Sequence, residues 1–206
     1  MNLELDKLRE DIKNYEKETN LDIENENDKV EVWFYPDVTN PQSEGYSELK
    51  NTEVKGFSGT QDIILLGLNP SSGTFPSFED KLLYKLLREK GIENIHVSDF
   101  VKVRAKNKEV TKKLFDNEFL MKKQAEFFQR EIEILKPKII IPMGKKCKTL
   151  LKKYLPEIKK KYKIIGVLHY GNNHIGKKFY YKSKDEYFHK ISQQLDKITE
   201  EYFNKN

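Results

Sequence analysis

The sequence predicts an α/β fold, a three-layer sandwich whose central, mainly parallel four-stranded sheet carries helices on both faces. Three observations support that expectation. Ile63, Ile64, Leu65 and Leu66 form an unbroken apolar run, too short for a helix and suited to a strand buried on both sides. From residue 61 onward, strand-like and helix-like stretches alternate four times, the pattern of right-handed crossovers between parallel strands. The helical stretches carry apolar residues at three- and four-residue spacing, which gives each of them one face to lay on the sheet.

Taken in order, Leu5, Leu8, Ile12 and Tyr15 recur at helical spacing and predict a first amphipathic helix. Residues 20–28 are acidic and polar, an exposed connector. Residues 30–35 read as an aromatic strand, with Trp33, Phe34 and Tyr35, and residues 36–60 read as loop because Pro36, Pro41, Gly45, Gly56 and Gly59 punctuate them. After the strand at 63–66, Gly67 frees the backbone and Asn69-Pro70 turns the chain out of helix. A helix is expected over 79–90, with Leu82, Leu83, Leu86 and Leu87 as its stripe and Gly91 as its stop. A second strand is expected over 94–103. A long helix over 111–135 should turn Phe115, Phe119, Phe127, Phe128, Ile132 and Leu135 to the core. Residues 138–143 read as the third strand, 145–154 as a helix and 163–169 as the fourth strand. A last helix over 184–203 rests on Tyr187, Phe188, Ile191, Leu195, Ile198 and Tyr202.

The chain of 206 residues suits one domain, with 1–60 as an N-terminal helix and strand extension and 61–203 as the α/β core. Charged residues make up 34% and hydrophobic ones 37%, and no apolar run is long enough to span a bilayer. The N-terminus lacks a basic region followed by an apolar core, so a cytoplasmic protein is expected. One cysteine, Cys147, excludes a disulfide framework and a cysteine-built metal or iron–sulfur site, and the four histidines form no zinc-type pair. No metal and no cofactor are expected. Residues 1–28 hold ten acids and four bases, net −6, so residues 29–206 carry +11 within a total of +5. A basic body points to a polyanionic partner, nucleic acid first.

If the four strands are parallel, their C-terminal ends share one edge, where open α/β sheets bind ligands. The first ends at Asn69, the second passes Asp99 toward Lys102 and Arg104, the third gives Gly144, Lys145 and Lys146, and the fourth ends at His169. Each of these has an ordinary structural explanation alone: a turn cap for Asn69, an ion pair with Lys102 for Asp99, a satisfied strand end for His169. Together on one edge they suggest a site.

Four segments then resemble, in order and spacing, the uracil-DNA glycosylase superfamily over about residues 61–190. Gly67-Leu68-Asn69-Pro70 resembles its first motif. Residues 97–104, V-S-D-F-V-K-V-R, resemble the second-strand segment that carries the base-reading residue. Residues 135–147, L-K-P-K-I-I-I-P-M-G-K-K-C, resemble the helix–strand–glycine segment of the thermophile-type branch. Residues 167–171, V-L-H-Y-G, resemble the late histidine motif. The chain departs from the family pattern at four points. The iron–sulfur cysteines are missing. Asn69 stands where the strict uracil branch has aspartate, as in the mismatch-specific and single-strand-selective branches. Asp99 stands where several relatives have asparagine, and Tyr170-Gly171 replaces Pro-Ser. An ionised carboxylate only accepts hydrogen bonds, whereas asparagine accepts from uracil N3–H and donates to O4, so Asp99 opens the choice of base to hypoxanthine.

The resemblance implies a monofunctional DNA glycosylase that releases a deaminated base, uracil first, from double- or single-stranded DNA, and that works as a monomer. Asn69 would orient water and His169 would donate to the leaving base. Gly67, Leu68 and Asp99 would line the base pocket, with Phe75 or Phe78 as the stacking ring. Pro70, Ser71, Ser72, Lys102, Arg104, Lys145, Lys146, Lys177 and Lys178 would contact DNA. The loop containing Tyr170, Gly171, Asn172, Asn173 and His174 would face the duplex and fill the vacated space. Two alternatives stand beside it: a nucleic-acid-binding protein on the same fold that does not cleave, and an unrelated small-molecule α/β enzyme, which the missing G-x-G-x-x-G and G-x-x-x-x-G-K-[ST] motifs disfavour.

Overall fold

A computed structural model describes residues 3–18, 30–32, 61–70, 76–92, 94–105, 108–171 and 183–204. Its elements are α1 (Leu3–Glu18), β1 (Val30–Val32), β2 (Ile63–Gly67), α2 (Phe78–Glu89), β3 (His96–Asp99), β4 (Val103–Ala105), α3 (Lys108–Asp116), α4 (Glu118–Leu135), β5 (Ile139–Pro142), α5 (Gly144–Tyr154), α6 (Ile158–Lys161), β6 (Lys163–Ile164) and α7 (Lys184–Phe203). The main sheet has four strands in the order β3-β2-β5-β6, every neighbouring pair parallel. The expected α/β architecture is therefore the one found. No described helix is long and apolar enough to cross a membrane.

β2 lies in the middle because its sequence suits nowhere else. Ile63, Ile64, Leu65 and Leu66 are each at most 1% exposed, and full burial of such side chains is worth about 1.5–3 kcal/mol apiece. Ile63 and Leu65 face one layer, with Leu83, Tyr84 and Leu87 of α2 and Tyr187, Ile191, Leu195 and Ile198 of α7. Ile64 and Leu66 face the other, with Met121, Ala125, Phe128 and Ile132 of α4 and Cys147 and Leu151 of α5. Outside that second layer, α1 sets Leu8 and Ile12 against Phe127.

Local chemistry fixes the helix ends. Ser77 and Asp80 form a reciprocal capping box at the start of α2: the Asp80 N–H donates to Ser77 Oγ at 3.1 Å, and the Ser77 N–H donates to Asp80 Oδ2 at 2.7 Å. Gly91, at φ +67°, ends the helix in the left-handed region as expected. The long helix expected over 111–135 is two helices. Asn117 stops α3 and caps α4, its side chain accepting from the Leu120 N–H at 3.1 Å. That break resets the helical phase, and Phe119, expected in the core, is 70% exposed.

The second strand is also shorter than expected. Phe100 and Val101 still donate to the carbonyls of Gly67 and Leu68. The Lys102 N–H then leaves the sheet for the Gln124 side chain at 2.8 Å, and β4 pairs antiparallel with β1. Lys102 itself is 1% exposed. Its Nζ donates to Glu131 Oε2 at 2.7 Å and to Ser98 Oγ. Ser98 Oγ and His96 Nε2 lie 2.9 and 3.0 Å from Glu131 Oε1. Burial alone would raise the Glu131 carboxyl, but the Lys102 charge and the hydrogen bond from His96 hold it below the usual carboxylate range. This buried cluster ties the edge strand β3 to α4. Glu131→Gln would leave the ammonium without its counter-charge and is expected to lower stability in urea unfolding by about 3–5 kcal/mol. A loss under about 1 kcal/mol, the range of an exposed pair, would show that the cluster is not the clamp.

Candidate active site

The C-terminal edge of the sheet collects the groups the sequence suggested, through a series of close backbone approaches. On β2, Gly67 is in register with Asp99 of β3. The Cys147 thiol, on α5, lies 3.3 Å from the Gly67 carbonyl and 3.5 Å from that of Leu66. Burial, reinforced by the Asp99 charge, pushes this thiol far up, so it stays protonated and donates. Cys147 thereby holds the end of β2 to α5. Just beyond, Leu68 and Asn69 are half-buried, and Asn69 Nδ2 donates to the Pro70 carbonyl at 3.0 Å. That bond turns Oδ1 the other way, as an acceptor.

His169 is held more tightly. Val167 bridges to Met143 beside the end of β5, and the Gly144 N–H donates to the Val167 carbonyl at 2.8 Å. Gly144 sits at φ +82°, and a Cβ there would come within 3.1 Å of His169 Cβ. A Cβ on Gly171 would lie 3.0 Å from His169 Cε1 and Nδ1. The histidine is seated between two glycines, and a Cβ at either position would press on it and push it aside by a few tenths of an ångström. The Gly171 N–H donates to His169 Nδ1 at 2.9 Å. With Nδ1 occupied as an acceptor, the neutral ring carries its proton on Nε2. The Tyr187 hydroxyl, from α7, donates to the His169 carbonyl, and the Tyr170 ring stacks on the imidazole at 5.1 Å and 7°.

Tyr170 links this loop to α2. Its phenol end is buried against Asp80; burial first, then the Asp80 charge and hydrogen bond, drive it well above the usual phenol range. Tyr84 is raised for the same reasons, burial and then the Asp80 and Asp99 charges. Asp99 is 5% exposed. Its side chain is on the face of Val97, because alternate strand residues share a side, so it looks toward α2 while His96 and Ser98 look toward Glu131. Burial raises its carboxyl to about 7; Lys102 pulls it down, and Glu131 and Asp80 push it further up.

Gly67, Leu68, Asn69, Pro70, Asp99, His169, Tyr170 and Gly171 thus come together on one edge, with Lys145 and Lys146 exposed on the first turn of α5 beside them. Lys146 Nζ lies over the Phe115 ring at 3.7 Å. Lys102 is a correction: an ammonium buried between Ser98 and Glu131 is not available to a phosphate. Nor does Asp99 pair with it, since Lys102 spends its charge on Glu131. Arg104 stands off the four-stranded edge, on β4 in register with Glu31. Phe78, at the start of α2, is 61% exposed, with Lys184 Nζ 5.0 Å from its ring centre. Phe75, Ser71, Ser72, Asn172, Asn173, His174, Lys177 and Lys178 lie outside the described residues. Sequence reasoning missed Asp80 and Tyr84, and it put Gly144 on the edge without foreseeing that it packs against His169. The S-x-x-D spacing of a capping box is a signal that could have marked Asp80 as a helix start, but nothing local ties it to Tyr170.

A parallel α/β sheet that gathers an amide, an imidazole and a buried carboxyl at the C-terminal ends of its strands has them where proteins of this fold class bind ligands. A model of the uracil DNA glycosylase superfamily matches residues 55–198, and the chain belongs to that family. Comparison with curated proteins finds no match. Membership supports a DNA glycosylase-type function and implies DNA as the ligand.

Gly144→Ala forces a side chain into a left-handed position and against His169 at once. It is expected to lower stability by about 1–2 kcal/mol from the backbone alone and to shift the His169 imidazole resonances. A melting temperature and resonances like those of the wild type would show that the glycine does not seat the histidine.

Proposed function

We propose that the protein is a monofunctional DNA glycosylase that hydrolyses the N-glycosidic bond of a deaminated base, uracil first and hypoxanthine second, in base excision repair, acting as a monomer. The observation that carries this reading is the seating of His169, whose neutral ring carries its proton on Nε2, on the same sheet edge as Asn69. As the glycosidic bond breaks, its electron pair leaves with the base and positive charge grows on the sugar. A fixed donor at the base oxygen stabilises that departing charge. The Oδ1 of Asn69 accepts a hydrogen bond from the incoming water and orients it. An amide is no proton acceptor, so this enzyme forgoes general-base assistance worth about 10²–10⁴ in rate. The base reaches such a site only when its nucleotide is extruded from the stack.

The basic surface beside the edge supports a DNA backbone contact. Lys145 and Lys146 open α5, where the helix N-terminus adds its own attraction for a phosphate. A non-cleaving binding protein on the same fold is the second reading, favoured by Asp99 and by Tyr170-Gly171 in place of Pro-Ser, and the assays below separate the two.

Single-turnover excision from strands carrying one uracil or one hypoxanthine, followed by alkaline cleavage at abasic sites, tests the assignment. His169→Ala is expected to lower the rate by about 10²–10³, and Asn69→Ala is expected to lower it as well. Unchanged cleavage in both variants would remove these residues from the mechanism, and binding without any abasic product would favour the second reading. The double variant Lys145→Ala, Lys146→Ala should flatten the log–log dependence of DNA affinity on salt by about 0.9 for each phosphate that is no longer neutralised. An unchanged slope would take both lysines off the DNA.

A further inference from the structure

We infer that Phe78, positioned by Lys184, is a stacking platform outside the base pocket: it holds an unpaired base next to the extruded nucleotide and makes single-stranded DNA the preferred form of the substrate. The inference rests on the glycosylase reading above for the place of the extruded nucleotide, and it adds the strand form that the protein grips.

Phe78 is 61% exposed, which suits an outer platform better than the wall of an enclosed pocket. A lone exposed phenylalanine needs no explanation, but this one is held. Lys184 Nζ, from α7, lies over the ring at 5.0 Å from its centre, and the same ammonium donates to Glu79 Oε1 at 2.7 Å. A cation over an aromatic face attracts the ring, and Glu79, the next residue of α2, keeps that cation in place. The ammonium takes one face of the ring, and the exposure belongs to the rest of it.

The platform is also registered to the histidine. Two residues after Phe78, Asp80 takes the Tyr170 phenol, whose ring stacks on His169. Three residues after Lys184, the Tyr187 hydroxyl donates to the His169 carbonyl. The two helix starts that carry the platform therefore grip the histidine loop, and the Ser77 and Ser183 caps fix where those helices begin.

Stacking asks only for a π-face, which every base has, so such a ring takes whichever base is free. In a duplex the neighbours of an extruded nucleotide stay stacked within their own helix; in a single strand they are free to lie on Phe78. Lys184 and Glu79 cancel in charge, so this grip is apolar and insensitive to salt, unlike a phosphate contact.

The test is equilibrium binding to a single strand carrying one non-hydrolysable 2′-fluoro-arabino-uridine between two normal bases, and to the same strand with abasic spacers in place of those two bases. Phe78→Ala is expected to weaken binding to the first strand about 5- to 150-fold and to leave binding to the spacer strand unchanged, the coupling of groups in direct contact. Lys184→Ala should lose a smaller part of that coupling. Phe78→Trp should keep the affinity and add to the natural Trp33 an indole emission that only the first strand quenches. An equal loss on both single strands, or none on either, overturns the platform. A loss of the same size on the matching duplex overturns the single-strand preference. The expected coupling without excision of uracil by the wild type would support the platform and remove the glycosylase reading.

Discussion

A single buried carboxylate governs both the frame and the electrostatics of this protein. Glu131, on α4, takes the hydrogen bonds of His96 and Ser98 from β3 and the charge of Lys102 just beyond it. A buried ion pair returns little net stability after desolvation, yet removing one partner is heavily destabilising, so such a pair acts chiefly as a constraint. Here it fastens the outer strand of the sheet to the helix layer behind it. It also holds the Lys102 ammonium on one face of β3, while Asp99 lies on the other, where burial and the Glu131 and Asp80 charges outweigh the pull of Lys102 and disfavour its own charge.

The site depends on that frame and is assembled by backbone proximity more than by side-chain packing. The Cys147 thiol closes on the Gly67 carbonyl, Gly144 leaves no gap beneath His169, and the Gly171 amide fixes which imidazole nitrogen keeps the proton. Each contact sets orientation before any substrate arrives, the preorganisation that makes a donor effective at the moment charge develops. Tyr170 joins the histidine loop to the capped start of α2 through Asp80, so the two sides of the site are held by one phenol.

Much of this was legible in the sequence, because the strongest signals there are local. The apolar run of β2 can be satisfied only by burial on both faces, and the stripes of α2 and α7 repeat at helical period over several turns. Strand order placed Asn69 and His169 on one edge, although the fourth strand, expected over 163–169, stops at Ile164 with one further bridge at Val167; the roles expected of the two residues came from the family resemblance. What escaped was set by partners distant in the chain. Nothing near Lys102 announces Glu131, 29 residues on, so its ammonium read as a surface cation. Asn117 as an internal cap split a helix whose apolar periodicity continues almost unbroken, and Phe119 went outward with the change of phase. The state of Asp99 was hidden for the same reason, since a carboxyl's charge depends on what surrounds it in space.

The most direct measurement of the central claim is a crystal structure of the protein bound to a duplex carrying a non-hydrolysable 2′-fluoro-arabino-uridine. The expected result has the uracil extruded between Asn69 and His169, its oxygen on the Nε2 proton and its N–H and C=O edge against Asp99. A base still stacked in its helix, or DNA seated on another face of the sheet, would contradict it.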